Sequence, residues 1–228
     1  MRRIILSALA AAALSTGAIQ NVAAQDILYS RQPVANWTGV YIGGNVGYGW
    51  AKLSASATSG GVTASGSEDL NGYVAGGQAG VNIQTGRWVW GLEADMQATG
   101  QKVSNVYTGS GATITTTERL PWFGTGRVRA GVAVDRWLAY VTGGVGFGQF
   151  KSDGSAIGTI VGSYSYSTTR AAWVVGGGVE ALIDNRFSWK IEYLHLDSGT
   201  ITNSSASVDT SVKLTDEILR FGANFKFP

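Results

Sequence analysis

Glu93 and Asp95 stand two residues apart in the stretch Trp88–Ala98, W-V-W-G-L-E-A-D-M-Q-A. On a strand, residues i and i+2 share a face. The two carboxylates would then be neighbours, a spacing that suits a general acid and base. A second group is His195 with Asp197 and Ser198. These are residue types of a nucleophilic site, which needs a base within hydrogen-bond reach of the hydroxyl and a third group to orient it. Nearness in sequence meets neither demand, so the plainer reading is a lone histidine among polar residues at a strand end. The chain has one His and no Cys, and no carboxylates cluster in its polar stretches. No metal or other cofactor is expected, and thiol chemistry is excluded.

The stretch that carries the two acids alternates with period two. Trp88, Trp90, Leu92, Ala94, Met96 and Ala98 share one parity; Val89, Gly91, Glu93, Asp95 and Gln97 share the other. This is a strand with one apolar and one polar face. A soluble sandwich would turn the apolar face inward, whereas a membrane barrel turns it to lipid and the acids to the lumen.

Seven more segments read as strands. The first, Val40 to Trp50, sets Val40, Ile42, Val46, Tyr48 and Trp50 on the apolar face. The second, near Leu70 to Ile83, sets Tyr73 and Val81 against Gln78 and Asn82. The fourth, Arg119 to Val132, sets Leu120, Trp122 and Val128 against Thr125, Arg127 and Arg129. Pro121 within it cannot donate to a ladder and belongs at a rim or a bulge. The fifth, Trp137 to Phe150, has competing parities, with Trp137, Val141 and Phe147 on the favoured outer face. The sixth sets Trp173 and Val179 against Arg170 and Glu180; the seventh sets Trp189 and Tyr193 against Lys190 and Glu192. The eighth sets Phe221, Phe225 and Phe227 against Arg220 and Asn224.

Turns of two or three residues, such as 85–87, 134–136 and 184–185, alternate with polar stretches read as long loops: Ser54–Ser67, Gly100–Thr117, Lys151–Thr169 and Asp197–Lys213. Such alternation is the pattern of an outer-membrane barrel, and an even strand number lets the sheet close without an edge in lipid. The expected fold is all-β: an eight-stranded antiparallel up-and-down transmembrane β-barrel.

The composition agrees. Charged residues are 14% of 228, against about 25% in soluble domains, with 33 Gly and 8 Trp. No apolar run outside the N-terminus is long enough for a spanning helix. The formal charge of +2 falls to zero without Arg2 and Arg3, so nucleic acid is not an expected partner. Residues 1–24 read as a secretory signal: Arg2-Arg3, an Ala-rich apolar stretch, then Val22-Ala23-Ala24 with small residues before the cleavage point. Residues 25–36 read as a periplasmic leader and 37–228 as the barrel.

Two expectations about side chains follow. Trp88, Trp90, Trp137 and Trp189 open rising strands and should form one aromatic girdle; Trp50, Tyr73, Trp122 and Trp173 should form the other. Trp37 fits neither. On the polar parity, Glu93, Asp95, Glu180 and Glu192 balance Arg127, Arg129, Lys190 and Arg220. Most lie about four to eight residues from the nearest short turn, so they should form one paired layer across a narrow lumen. Ion pairing then outweighs acid–base work for Glu93 and Asp95.

The stretch Asn36-Trp37-Thr38-Gly39-Val40-Tyr41-Ile42-Gly43-Gly44-Asn45-Val46-Gly47-Tyr48-Gly49-Trp50 resembles the opening strand of the small outer-membrane β-barrel proteins of alphaproteobacteria, the porin-family or outer-membrane immunogenic proteins, which are similar to the OmpA transmembrane barrel. Residues 122–131, 135–144 and 190–194 carry the same resemblance. It implies a Gram-negative outer-membrane location, a structural role and exposed antigenic loops. It further implies an assembly signal at Phe225 and Phe227, although Pro228 follows where such barrels usually end on the aromatic.

The expected function is non-enzymatic: a barrel that supports envelope integrity, its lumen blocked by the charged layer. Its partners would be outer-membrane lipid, lipopolysaccharide and the barrel-assembly machinery. The alternatives are a small-solute porin, a loop-borne adhesin or ligand (haem) binder, and, last, a lipid A-modifying enzyme. The loops suit host-surface or small-ligand contacts, but no haem-binding residues stand out.

Overall fold

The computed structural model describes residues 35–227 apart from 110, 160 and 206–207. The expected signal peptide, most of the leader, and Pro228 lie outside these residues. The described residues form eight strands: β1 (Gly39–Ser59), β2 (Val62–Thr85), β3 (Trp88–Gly109), β4 (Ala112–Val134), β5 (Trp137–Gly158), β6 (Gly162–Leu182), β7 (Phe187–Ser205) and β8 (Val208–Lys226). Each pairs antiparallel with the next, and β8 closes the ring on β1.

Solvent exposure inverts the usual order. Along β3, Trp88, Trp90, Leu92 and Met96 are exposed, while Glu93, Asp95 and Gln97 are buried. Water would select the opposite arrangement; hydrocarbon around a closed barrel selects this one. β5 follows suit: Trp137, Val141, Val145 and Phe147 face out, Leu138 and Tyr140 face in.

The register fixes the closure. Starting at Tyr41 and crossing through Gly80, Glu93, Arg127, Gly144, Val174, Leu196 and Asp216 leads back to β1 at Ala51. The stagger is therefore ten residues. With eight strands this leaves an interior that side chains can fill.

Two expectations are corrected. The four polar stretches are not loops; they continue the strands in pairs, for instance Ser54–Ser59 in β1 against Val62–Ser67 in β2. Ser, Thr, Ala and Gly lie on both faces there, so no hydrophobic alternation marks them, yet the backbone pairing persists. Gly60 and Gly61, both at positive φ (56° and 80°), make the two-residue turn that joins β1 to β2. Leu120 is the second correction: it turns inward and is buried. Thr99 and Gly100 of β3 bulge opposite Pro121, and Leu120–Pro121 bulge opposite Phe150 of β5. The extra residues shift the parity between Leu120 and Trp122, and the bulge absorbs the proline's missing donor.

Above the bulge the barrel parts. β2 and β3 pair only as far as Val74–Thr99, and β6 and β7 only as far as Trp173–Asp197. The upper halves of β7, β8, β1 and β2 form one leaf; those of β3, β4, β5 and β6 form another. A side-chain bond from Asn105 Nδ2 to Glu68 Oε2 (2.6 Å) spans the β2/β3 slot.

At the other end, the β6–β7 turn is tied by Asp184. Its carboxylate accepts the N–H groups of Phe187 and Arg186, each at 2.7 Å. Those bonds hold its pKa below the usual carboxylate range. A depressed pKa gives stabilisation that is present at neutral pH and lost as pH falls through the lowered value. Asp184→Ala is therefore expected to speed amide exchange at Arg186 and Phe187 severalfold at pH 7, with the wild type matching it only in strong acid. Equal exchange in the two proteins at pH 7 would refute this role.

Candidate functional site

The interior at the height of Glu93 is a continuous ion-pair network. Glu93 accepts Lys190 Nζ at 2.8 and 2.9 Å, pairs closely with Arg127, and has Arg129 at 3.5 Å and Arg220 at 3.6 Å. Asp95 takes Arg127 at 2.9 Å and Arg220 at 3.0 Å. Glu192 takes Arg220 at 2.6 Å and Arg127 Nη1 at 3.1 Å. That last contact is an ion pair without hydrogen-bond geometry, since Arg127 Nη1 has no hydrogen-bond partner. Glu180 takes Arg129 at 2.7 Å. The barrel thus brings together all eight charged residues singled out by parity, each of them buried.

Register explains part of this pattern and side-chain reach the rest. Glu93 faces Arg127 across β3 and β4, and Glu192 faces Arg220 across β7 and β8. Lys190 lies opposite Glu180 on β6, yet its ammonium reaches across the lumen to Glu93. Glu180 turns instead to Arg129, to Ser188 at 2.6 Å and to Asn224 at 2.8 Å.

Uncharged residues not singled out from the sequence complete the layer. Tyr41 donates to Glu93 at 2.6 Å and Tyr140 to Glu192 at 2.8 Å. The Arg129 guanidinium lies 4.0 Å from the centre of the Tyr140 ring. Asn45, Gln78 and Asn224 form a chain of hydrogen bonds at 2.6 and 2.7 Å that ends on Glu180. Tyr41, Asn45, Gln78 and Asn224 lie on the polar parity of their strands, whereas the competing parities of the fifth strand left Tyr140 open; parity marks an amide or a phenol as inward-facing but not as a partner for charge.

Glycines make room for these side chains. The cross-strand neighbour of Glu93 on β2 is Gly80, of Arg127 on β5 Gly144, of Glu192 on β6 Gly178, of Lys190 on β8 Gly222, and of Arg220 on β1 Gly47. A β-carbon on Gly144 would sit 2.1 Å from the Gly126 carbonyl oxygen. The high glycine content therefore has a packing cause: large residues alternate with the smallest around a narrow interior.

Apolar layers flank the charges. On one side Phe123, Leu120, Val174, Leu194, Leu196, Val74 and Ile218 form a cluster; Leu53, Leu70 and Phe150 lie in a further one. On the other, Trp37 packs with Val89, Leu138, Tyr140 and Leu182. Trp37 is 2% exposed, and its backbone N–H donates to Gln84 Oε1 at 2.8 Å. It is an inward-packed residue, which is why it fitted no girdle.

The family model for the outer membrane protein beta-barrel domain matches residues 6–227. The chain belongs to this family. The 31 kDa outer-membrane immunogenic protein of Brucella melitensis biotype 1 is 35% identical over 247 residues, covering 100% of both chains. The 22 kDa outer membrane protein of Rhizobium leguminosarum bv. viciae is 28% identical over 199 residues, covering 86% of this chain and 81% of that one. Among solved structures, the outer membrane protease OmpT of Escherichia coli superposes with a TM-score of 0.51 at 9% identity, covering 83% and 97%. That likeness shows the fold alone.

As a member of the family, the protein resides in the Gram-negative outer membrane. The end that carries the β2–β3, β4–β5 and β6–β7 turns then faces the periplasm, and the leaves, with their extended hairpins, face outward. Trp88 and Trp90 stack at 6.5 Å, and Trp137 meets Trp189 edge-on at 5.5 Å, near the short turns. At the other end Tyr48 contacts Trp50 and Tyr73, Trp122 packs on Phe147, and Trp173 lies 5.1 Å from His195. Phe225 packs between Phe187 and Phe227 on the outer surface.

Among the described contacts His195 and Ser198 are not bonded to each other. His195 Nδ1 bonds Glu217 at 2.6 Å, whereas Ser198 Oγ bonds the backbone of Leu214 at 3.1 Å. Asp197 pairs with Lys213 at 2.9 Å.

Proposed function

We propose that the protein is a structural barrel of the outer membrane whose lumen carries no solute and which contributes to envelope integrity. The observation that supports this reading most is the filled interior. Arg220, Lys190, Leu194 and Ile218 are each at most 1% exposed, so an ionic layer is backed by an apolar one. An ion would have to break several buried pairs and then cross Phe123, Leu194 and Ile218 without hydration. In planar bilayers the refolded barrel is expected to give no stable single-channel currents. Large, steady currents would refute the reading and favour the small-solute porin.

No enzymatic role is proposed. Glu93 and Asp95 are saturated by cations and closed off from substrate, and the His195 group lacks the geometry for nucleophilic attack. The lipid contacts are those that the girdles suit: acyl chains between the two belts and lipopolysaccharide around the upper one. Insertion through the barrel-assembly machinery would use Phe225 and Phe227.

A second reading has its own observation. The leaves expose Tyr107, Tyr164, Tyr166 and Val161 well above the upper girdle. Apolar and aromatic side chains held there suit recognition at the cell surface, in keeping with the immunogenic character that the names of the relatives record. Loss of whole-cell antibody or host-surface binding when these tyrosines become serine would support it.

A further inference from the structure

The β6/β7 slot has a cavity at its base. Pairing between these strands stops at Trp173–Asp197, so residues 170–172 of β6 form a free edge at the height of the upper girdle. The cavity reaches both sides of that edge. Phe147 and Ala171, which face lipid, line one part of it; Leu120, Phe123 and Leu196, which face the interior, line another. Its enclosed part is narrow, about 40 Å³, and the rest opens into the slot. Below it Val174, Leu194 and Ile218 close the interior. The cavity is therefore a dead end entered from the side.

Two charged side chains share its wall. Arg170 is half-buried, and its Nη1 is buried with no hydrogen-bond partner. A guanidinium does not give up its proton in a protein, so this donor needs an acceptor. Asp216, 4% exposed, does not supply one: it is not within ion-pair distance of any described cation, and Gln101 Nε2 donates to both its oxygens at 2.9 and 3.0 Å. The site is thus an apolar hollow with one unsatisfied cationic donor.

We infer that the β6/β7 slot binds a small amphiphile with an apolar chain and a single carboxylate, entering from the outer leaflet with its head on Arg170. The chain lies among Phe147, Phe123 and Leu120. This site is separate from the ionic layer, and its test does not depend on whether the lumen conducts.

The probe is octanoate, added to the full barrel in phosphatidylcholine nanodiscs, with backbone amide shifts as the readout. Saturable shifts confined to residues 146–150 and 170–173 are expected. Arg170→Gln should weaken binding about tenfold, the worth of one charge-assisted hydrogen bond. Ala172→Phe should fill the hollow and abolish the saturable shifts. Linear, non-saturating shifts over the whole lipid-facing band would mean simple partitioning and overturn the proposal. So would octylammonium binding more tightly than octanoate, or an unchanged affinity in Arg170→Gln. Should a variant fail to fold, as judged by the heat-resistant mobility of the barrel on gels, the competition between octanoate and octylammonium in the wild type decides.

Discussion

Glu93→Ala is expected to lower the stability of the folded barrel by about 3–5 kcal/mol, the usual cost of removing one partner from a buried ion pair. Glu93 is the hub of the layer. Lys190 bonds both its oxygens, Arg127 pairs with it, and Tyr41 donates to it. Truncation leaves Lys190 with only Glu192, at 3.8 Å, and leaves Tyr41 without its acceptor. The same change at Glu180 should cost less, because only Arg129 depends on it for charge. The measurement is the urea unfolding midpoint in lipid vesicles. Glu93→Ala/Arg127→Ala should be less destabilised than the sum of the two single changes, since each removes a charge the other strands. Strict additivity would mean that the layer is a set of independent pairs. Conductance should change less than stability. Breaking the ladder does not by itself open the lumen, because Phe123, Leu194 and Ile218 remain above it as a separate barrier. A steady channel in Glu93→Ala would show that the ionic layer alone closes the barrel.

Gly144→Leu is expected to be as damaging, at about 3 kcal/mol or more, for a steric reason. Its β-carbon would meet the Gly126 oxygen at 2.1 Å and Arg127 Cα at 2.8 Å, both backbone atoms that cannot swing aside. The rest of the leucine would enter the space occupied by Arg127. Gly126→Leu is the control. Gly126 lies on the neighbouring strand but faces lipid, and a β-carbon there meets nothing within 4 Å. An added leucine should leave stability unchanged or raise it, because apolar surface in hydrocarbon carries no penalty. Equal effects of the two substitutions on folding yield and urea midpoint would refute the claim that interior glycines exist to seat large neighbours.

Both expectations rest on features with different visibility in the sequence. Which residues face lipid was legible, because parity is a local property. Trp88, Trp90 and Leu92 alternate with Glu93 and Asp95 whatever the rest of the chain does. The balance of four acids against four bases was legible for the same reason, since a closed interior must be neutral and parity lists its members. The glycines opposite those charges could be counted but not assigned, because their partners lie on other strands. The strand extensions were hidden because water on both faces leaves no alternation to read. The inward turn of Leu120 was hidden because the bulge that displaces it depends on Thr99 and Gly100, some twenty residues away.

The two acids of β3 show where the division falls. The sequence by itself determined that Glu93 and Asp95 share a face, that the face is polar, and that bases of equal number stand on the same parity elsewhere. Tertiary structure decided their partners. Closure with a stagger of ten sets Glu93 beside Arg127 and Gly80, and lets Lys190 cross the lumen to reach it. It also decided where pairing stops, and so where the β6/β7 slot opens. The physical reason is that parity follows from the geometry of one strand, whereas register is a property of the ring. It is fixed only when β8 meets β1 and every interior side chain has found room.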